Sequence, residues 1–350
     1  MKVVLAGGGT GGHLYPAVAI SEQLKKHNIN CCFMVSDRGI ERKILRPLNC
    51  QFEEQKVSAY MNQSLTGKIK AVFSMIKAAG RALKIVQKGD KVILTGGFAA
   101  APSAIAAILK GCDLYLHEQN SVMGLVNRIF ARFSKKVFLS FENTKNAKGN
   151  LIVTGNPVRE VFYNTAPKKD YTGRLLILGG SQGSRKINTL ISSSIDEIIS
   201  AGFNVTHQCG AKLYDETKEM YGSKLDEYKE RLTLKPYIEN AVDEMSKADI
   251  IVSRSGAGAV FEIKALKCPA IYIPYAAASE NHQFYNALEE KNKGCCIILE
   301  EDKADTVSLK DALNEIKDKI AVFRANLEKS PLQKSSEIIF KELDIIIDGV

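Results

Sequence analysis

Two short apolar runs constrain this chain most. Lys2-Val3-Val4-Leu5-Ala6 breaks off at Gly7-Gly8-Gly9-Thr10-Gly11-Gly12, and Arg174-Leu175-Leu176-Ile177-Leu178 breaks off at Gly179-Gly180-Ser181-Gln182-Gly183. Neither run alternates apolar with polar residues, which is how a parallel strand covered on both faces reads. Helix-forming sequence follows each: Tyr15 to Lys26, with Pro16 expected near the first turn where its missing N–H costs nothing, and about Lys186 to Ala201. The first half offers further strands at Cys31–Val35, Val92–Thr95, Leu114–His117, Lys136–Ser140 and Leu151–Thr154. The second offers Asn204–Gln208, Leu232–Lys235, Ile250–Ser253, Ala270–Ile273 and Cys296–Leu299. Strands alternating with helices predict an open α/β sheet, built twice.

The length agrees, since 350 residues at roughly 150 per domain make about two. The polar stretch Asn164–Gly173, with Pro167, is the best linker, so the expected division is 1–163, 164–330 and a helical tail over 331–350. With 45% hydrophobic and 25% charged residues, bulk disorder is excluded. The eight cysteines, among them Cys31-Cys32 and Cys295-Cys296, include no CxxC pair, which argues against a disulfide scaffold and a thiolate zinc site. The apolar run before Gly7 is too short for a secretion signal, and the most apolar stretch, Phe98–Leu109, holds Pro102 and is too short to span a bilayer. A cytosolic chain is expected. Charge is uneven: residues 1–164 carry 23 Lys+Arg against 10 Asp+Glu, a net of +13, and the remainder 25 against 29, a net of −4, which together give the +9 of the whole. The basic half points to an anionic partner.

Glycine permits positive φ and close backbone approach, and the helix that follows offers unpaired N–H groups, so both loops suit a phosphate. No GxxxxGK[ST] occurs, which argues against a P-loop NTPase. Gly7, Gly9 and Gly12 fit GxGxxG only in a shifted register, a weak dinucleotide signal, and Asp37 would be the ribose-binding acid of that reading. No Asp-x-Asp metal-binding pattern is present, so no resident cofactor or metal is expected.

Six segments then carry a resemblance: Gly7–His13 with Pro16, His117-Glu118-Gln119-Asn120, Gly155-Asn156-Pro157-Val158-Arg159, Gly179–Gly183, Arg254-Ser255-Gly256-Ala257 with Glu262, and Asn281-His282-Gln283 with Asn286-Ala287. In this order and spacing they are similar to the bacterial peptidoglycan N-acetylglucosaminyltransferases, a family of GT-B glycosyltransferases, over almost the whole chain. The resemblance implies an α/β fold of two Rossmann-like domains with an interdomain active-site cleft. It implies inverting transfer of GlcNAc from UDP-GlcNAc to the 4-hydroxyl of MurNAc in lipid I, giving lipid II and UDP. The partners it implies are UDP-GlcNAc, lipid I, an anionic inner-leaflet surface at the cytoplasmic face of the plasma membrane, and cell-wall synthesis proteins, with no nucleic acid. Two departures stand out: Ala259 where the family usually has Thr, and Phe98-Ala99-Ala100 where it has a Tyr-x-Ser-like stretch.

Carried over residue by residue, the resemblance makes His13 the candidate base, with binding of the acceptor diphosphate an equal alternative. Thr10, Gly11 and Gly12 of its loop join the ligand-binding residues. Glu262 matches the ribose contact, Ser181 a phosphate contact, Arg159 a nucleotide-sugar contact, and the backbone of Ile238 the uracil edge. Ala257, Gly258, Ala259, Val260 and Phe261 belong to the donor-binding turn, and Asn120, His282 and Gln283 to the GlcNAc or nucleotide side. His117 and Glu118 read as loop supports, His27 and His207 as structural or surface histidines, and Arg254 as a residue that could pair locally.

The window 65–91 holds seven Lys+Arg and one Asp. At helical spacing Ile69, Val72, Phe73, Ile76 and Leu83 fall close to one face with Lys70, Lys77, Arg81 and Lys84 around it, the profile of an interfacial helix. The same stripe could equally be packed on the sheet. A UDP-GlcNAc 2-epimerase and a transferase with a soluble acceptor are the competing enzymes, and a basic nucleic-acid- or membrane-binding protein the competing non-enzyme. The absence of Trp and the 7% aromatic content disfavour nucleic acid.

Overall fold

The structure is a computed structural model that describes residues 1–57, 65–180, 182–330 and 332–345, with the backbone alone over 65–69. Its contacts divide the chain into Met1–Glu160 with Gln333–Val350 and, separately, Val161–Leu332.

In the first unit seven parallel strands form one sheet: β1 (Val3–Ala6), β2 (Cys31–Ser36), β3 (Phe52–Gln55), β4 (Lys91–Leu94), β5 (Asp113–Glu118), β6 (Lys136–Leu139) and β7 (Leu151–Val153), in the order β3-β2-β1-β4-β5-β6-β7. Because strand side chains alternate, Val4, Ala6, Val92, Leu94, Leu114 and Leu116 enter one core, while Val3, Leu5, Phe33, Val35, Ile93 and Tyr115 enter the other. Helix Leu65–Ile85 and helix Ala101–Lys110 cover the first face, and helix Gly11–Lys26 covers the second together with Ser335–Glu342 from the end of the chain.

The second unit repeats the plan with β8 (Arg174–Leu178), β9 (Asn204–Gln208), β10 (Leu232–Lys235), β11 (Ile250–Ser253), β12 (Ala270–Tyr272) and β13 (Cys296–Ile298), all parallel, in the order β10-β9-β8-β11-β12-β13. Both sheets reverse direction of growth beside their first strand, between β1 and β4 and between β8 and β11. In open α/β sheets the carboxyl ends of strands at such a reversal are where ligands bind.

Three local expectations are corrected. The first helix starts at Gly11, not Tyr15, so Pro16 lies inside it rather than in its first turn; the glycine loop itself supplies that turn. The stretch Lys186–Ala201 is two helices, Arg185–Ser193 and Ile195–Ser200, parted at Ser194, whose hydroxyl donates back to the Leu190 carbonyl at 2.8 Å. The strand β3 was not anticipated, because an edge strand reading Phe-Glu-Glu-Gln has no apolar run.

Candidate active site

In the first unit the chain leaves β1 through Gly7–Thr10 and enters helix Gly11–Lys26 with an extended Thr10 as its N-cap. His13, on the first turn, is half-buried, and its Nδ1 lies 3.1 Å from the Thr95 carbonyl at the end of β4. A carbonyl only accepts, so this contact is a hydrogen bond in the tautomer that carries its hydrogen on Nδ1 and its lone pair on Nε2. The Gln119 side-chain amide lies against the same nitrogen. The atom facing the ring is the amide nitrogen, which only donates, so a hydrogen on Nδ1 directed at Thr95 requires this amide turned about, with its otherwise unpartnered oxygen toward the ring. Gly96 allows this approach: its φ is +89°, and a Cβ there would stand 2.9 Å from His13 Nδ1.

The loop rests on a residue that no motif had marked. Glu41 is fully buried and accepts from the Gly9 N–H at 2.7 Å and from the Ser36 hydroxyl. With a carboxyl group on Gly9, the loop offers an anion the N–H groups of Gly11 and Gly12 rather than that of Gly9. Beside it, buried Glu118 accepts from the Asn120 N–H at 3.0 Å, the Gly124 N–H at 2.9 Å and the Asn127 amide at 2.8 Å, which pins the turn that carries Asn120. Burial pushes the Glu118 carboxyl above its ordinary range against the pull of those donors. His117 is wholly buried, within 3.3 Å of the Ser140 hydroxyl, and burial drives its pKa down to about 3, so it is neutral and supports the loop. Arg159 places its guanidinium 5.0 Å from the centre of the Tyr15 ring, on the helix that carries His13.

In the second unit the ends of β8, β11, β12 and β13 meet through side chains. Gly179–Gly183 forms the loop after β8, although Ser181 itself lies outside the described residues. Ser184 caps the next helix, accepting from the Ile187 N–H at 3.3 Å. Gln208 donates to the carbonyls of Gly180 at 3.1 Å and Pro236 at 3.4 Å, which ties this loop to the segment carrying Ile238. Ile238 has a buried side chain, so only its backbone can face a ligand.

After β11, Gly256 is the N-cap of helix Ala257–Ala265. Ala257, Gly258 and Ala259 hold the first-turn N–H groups, whereas the Val260 N–H already donates to the Gly256 carbonyl at 3.0 Å. The side chains of Val260 and Phe261 are buried, so they shape the helix from within the core, and Glu262 is half-buried on its second turn. Gln283 directs its oxygen to the Tyr275 N–H at 3.0 Å, which leaves its amide hydrogens for donation, and its own carbonyl accepts from Ser255 at 2.8 Å. His282 Nδ1 lies 2.9 Å from the Ser279 carbonyl. Arg254 does pair locally, with Glu301, the Ser184 hydroxyl and the Ile273 carbonyl. His207, buried between the Tyr221 hydroxyl at 2.8 Å and the Asn188 oxygen at 3.1 Å, is structural, and His27 stacks on Phe340.

The motif residues thus gather at the carboxyl ends of two sheets: Thr10, Gly11, Gly12, His13 and Asn120 on the first, and Ile238, Ala257–Glu262, His282 and Gln283 on the second. Sequence reasoning missed Glu41, Gln208 and Glu301, each a charged or amide side chain that reaches a loop from a distant element.

Comparison with known proteins agrees with this arrangement. Residues 3–139 match the glycosyltransferase family 28 N-terminal domain, and residues 174–342 match the glycosyltransferase family 28 C-terminal domain. A protein of Helicobacter acinonychis named UDP-N-acetylglucosamine--N-acetylmuramyl-(pentapeptide) pyrophosphoryl-undecaprenol N-acetylglucosamine transferase is 34% identical over 91% of this chain and 90% of its own length. One of the same name from Helicobacter pylori is 33% identical over 100% of this chain and 99% of its own. Among solved structures, MurG of Acinetobacter baumannii superposes with a TM-score of 0.76 at 23% identity, covering 98% of this chain and 99% of that one. A UDP-GlcNAc 2-epimerase of Neisseria meningitidis shares the fold at a TM-score of 0.64 and 17% identity, covering 98% and 99%. With both halves matched by the family's own domains, the chain belongs to the MurG family of GT-B glycosyltransferases.

Proposed function

We propose that this chain transfers GlcNAc from UDP-GlcNAc to the 4-hydroxyl of the MurNAc residue of lipid I, releasing UDP and forming lipid II with inversion at the anomeric carbon. The observation that carries the reading is 34% identity over 91% of the chain to an enzyme named for that transfer. The two sites supply the parts. In the second unit the first-turn N–H groups of Ala257, Gly258 and Ala259 and the loop Gly179–Gly183, with Ser181, take the diphosphate. Glu262 accepts from the ribose hydroxyls, the Ile238 backbone reads uracil, and Gln283 donates to the sugar or a phosphate oxygen. His282 and Arg159 complete the donor contacts.

In the first unit the contact with Thr95 suits the His13 tautomer whose lone pair is on Nε2, the nitrogen that would take the proton. The sugar oxygen attacks the anomeric carbon opposite the diphosphate. As that bond forms, the carbon–oxygen bond to UDP breaks, its electron pair leaves with UDP, and the hydroxyl proton passes to Nε2. Developing charge on the diphosphate is met by backbone N–H groups. Thr10, Gly11 and Gly12 bind through the loop beside His13, and Asn120 contacts the GlcNAc or the nucleotide.

Helix Leu65–Ile85 serves attachment to an anionic inner leaflet. Ala71, Ala78 and Ala82 are its core-facing stripe, and Val72, Phe73 and Ile76 are exposed at 48%, 69% and 63% beside Lys70 and Lys77. Leu83 lies instead against the core, and the Ile69 side chain lies outside the described residues. Among the described residues no helix is long and apolar enough to cross a membrane.

The test is purified protein with UDP-GlcNAc and a short-chain lipid I analogue, followed by UDP release and product mass. Transfer requires UDP release that depends on the acceptor and a product heavier by one GlcNAc residue. Conversion of UDP-GlcNAc to its 2-epimer without acceptor would replace this reading with the epimerase one.

A further inference from the structure

Four strand ends of the second unit converge on one carboxylate. Glu301, just beyond β13, accepts from an Arg254 Nη2 hydrogen through one oxygen and from the Ala276 N–H at 2.7 Å through the other. Arg254, just beyond β11, uses the same nitrogen on the Ser184 hydroxyl at 2.7 Å and its second on the Ile273 carbonyl at 2.9 Å. Ser184 is the N-cap of the helix after the glycine loop, so its hydroxyl is oriented at once by the helix and by Arg254. The Arg254 guanidinium stands 5.4 Å from the Tyr275 ring centre, and Gln283 holds the adjacent Tyr275 N–H at 3.0 Å. The side chains of Arg254 and Glu301 are only 15% and 11% exposed, so the pair is shielded from bulk solvent and from salt.

We propose that Glu301 is a positioning residue for the nucleotide sugar, acting through Arg254 and the Tyr275–Ala276 turn; this rests on the donor-site reading above. Two features define the role. First, the carboxylate neutralises and anchors Arg254, whose hydrogen bonds then hold Ser184 and the glycine loop in register with the loop after β12. Second, it fixes the Ala276 N–H while Gln283 fixes that of Tyr275, so the turn beside Gln283 is held from two sides. Glutamate suits the task because both oxygens accept. Glutamine offers one acceptor and one donor, and the donor would face either the guanidinium or the Ala276 N–H.

The experiment measures UDP binding by calorimetry and steady-state kinetics for wild type, Glu301→Gln and Glu301→Ala in the full chain. Glu301→Ala is expected to weaken UDP and raise the KM for UDP-GlcNAc about tenfold, with the acceptor KM moved less than about twofold. Glu301→Gln, which keeps one of the two accepted bonds, is expected to fall between, and it carries the test if the alanine variant does not fold. In a double-mutant cycle the loss from Arg254→Ala should not add to that from Glu301→Ala, since either change breaks the same link. UDP affinity unchanged in a folded Glu301→Ala variant overturns the proposal, as does an equal rise in both KM values, which marks a merely structural role. Wild-type protein that binds neither UDP nor UDP-GlcNAc removes the donor-site reading itself, a result distinct from either.

Discussion

His13 Nδ1 faces the Thr95 carbonyl, and that contact joins the ends of β1 and β4 across 82 positions of sequence. Replacing His13 with Gln preserves a donor toward Thr95 but removes the basic nitrogen. The expected outcome is a fall in kcat of about 10²–10⁴, the usual worth of a positioned base, with the KM for UDP-GlcNAc little changed. A kcat within a few-fold of wild type would leave His13 only a binding role. The histidine itself was legible, since it closes a glycine loop. Its supports were not: Glu41 reaches Gly9 from 32 positions away, and nothing local distinguishes it from a surface helix glutamate. The same holds for Gln208 and Glu301, which act through backbone groups whose need for a partner arises only once the loops are folded.

At the level of elements, helix Leu65–Ile85 is the place where two readings of one pattern separate. Its bulky apolar residues Val72, Phe73 and Ile76 point outward, while buried alanines let the helix lie close to helix Ala101–Lys110. Phe73→Asp should therefore leave thermal unfolding nearly unchanged and reduce co-sedimentation with anionic vesicles. Lys70→Glu with Lys77→Glu should do the same, with a loss that shrinks at high salt, where screening has already removed the attraction. Wild-type vesicle binding by these folded variants would return the face to an ordinary surface. Buried elements were read well: β8 and β11 lie where their apolar runs put them, because a strand covered on both faces must be apolar throughout. Elements with other demands were not. Edge strand β3 is polar at three of its four positions, and the break at Ser194 depends on a hydroxyl–carbonyl bond that propensity does not see. The orientation of Leu83 escaped for a related reason, since helical spacing shows which residues share a face but not which face meets the core.

On the scale of the whole chain, the first unit is completed by residues that come last. Ile339, Phe340 and Leu343 are buried in its core, and the Tyr115 hydroxyl donates to the Leu343 carbonyl at 3.0 Å. No sequence signal says which surface a terminal apolar stripe will cover, so this docking was not legible. Phe340→Ala should cost about 3 kcal/mol by removing a buried ring, and hydrogen exchange should show the loss in the first unit alone. Acid acts on both units through one buried histidine in each. Burial lowers the pKa of His117 and of His207 from 6.5 to about 3. Unfolded, each takes up a proton once the pH falls below about 6.5; folded, neither does until near 3, so the unfolded state binds more protons throughout that window. Their contribution is therefore complete above the unfolded value and declines as pH falls, by about 1.4 kcal/mol per pH unit for each histidine. Between pH 7 and pH 5 the second unit should lose about 2 kcal/mol from His207 alone, measured as urea unfolding followed by hydrogen exchange in that unit. His207→Asn should start from a lower stability but show a flatter pH profile there, while the first unit, which keeps His117, retains its slope. An unchanged slope in the second unit of that variant would show that His207 is not the proton acceptor that unfolding exposes.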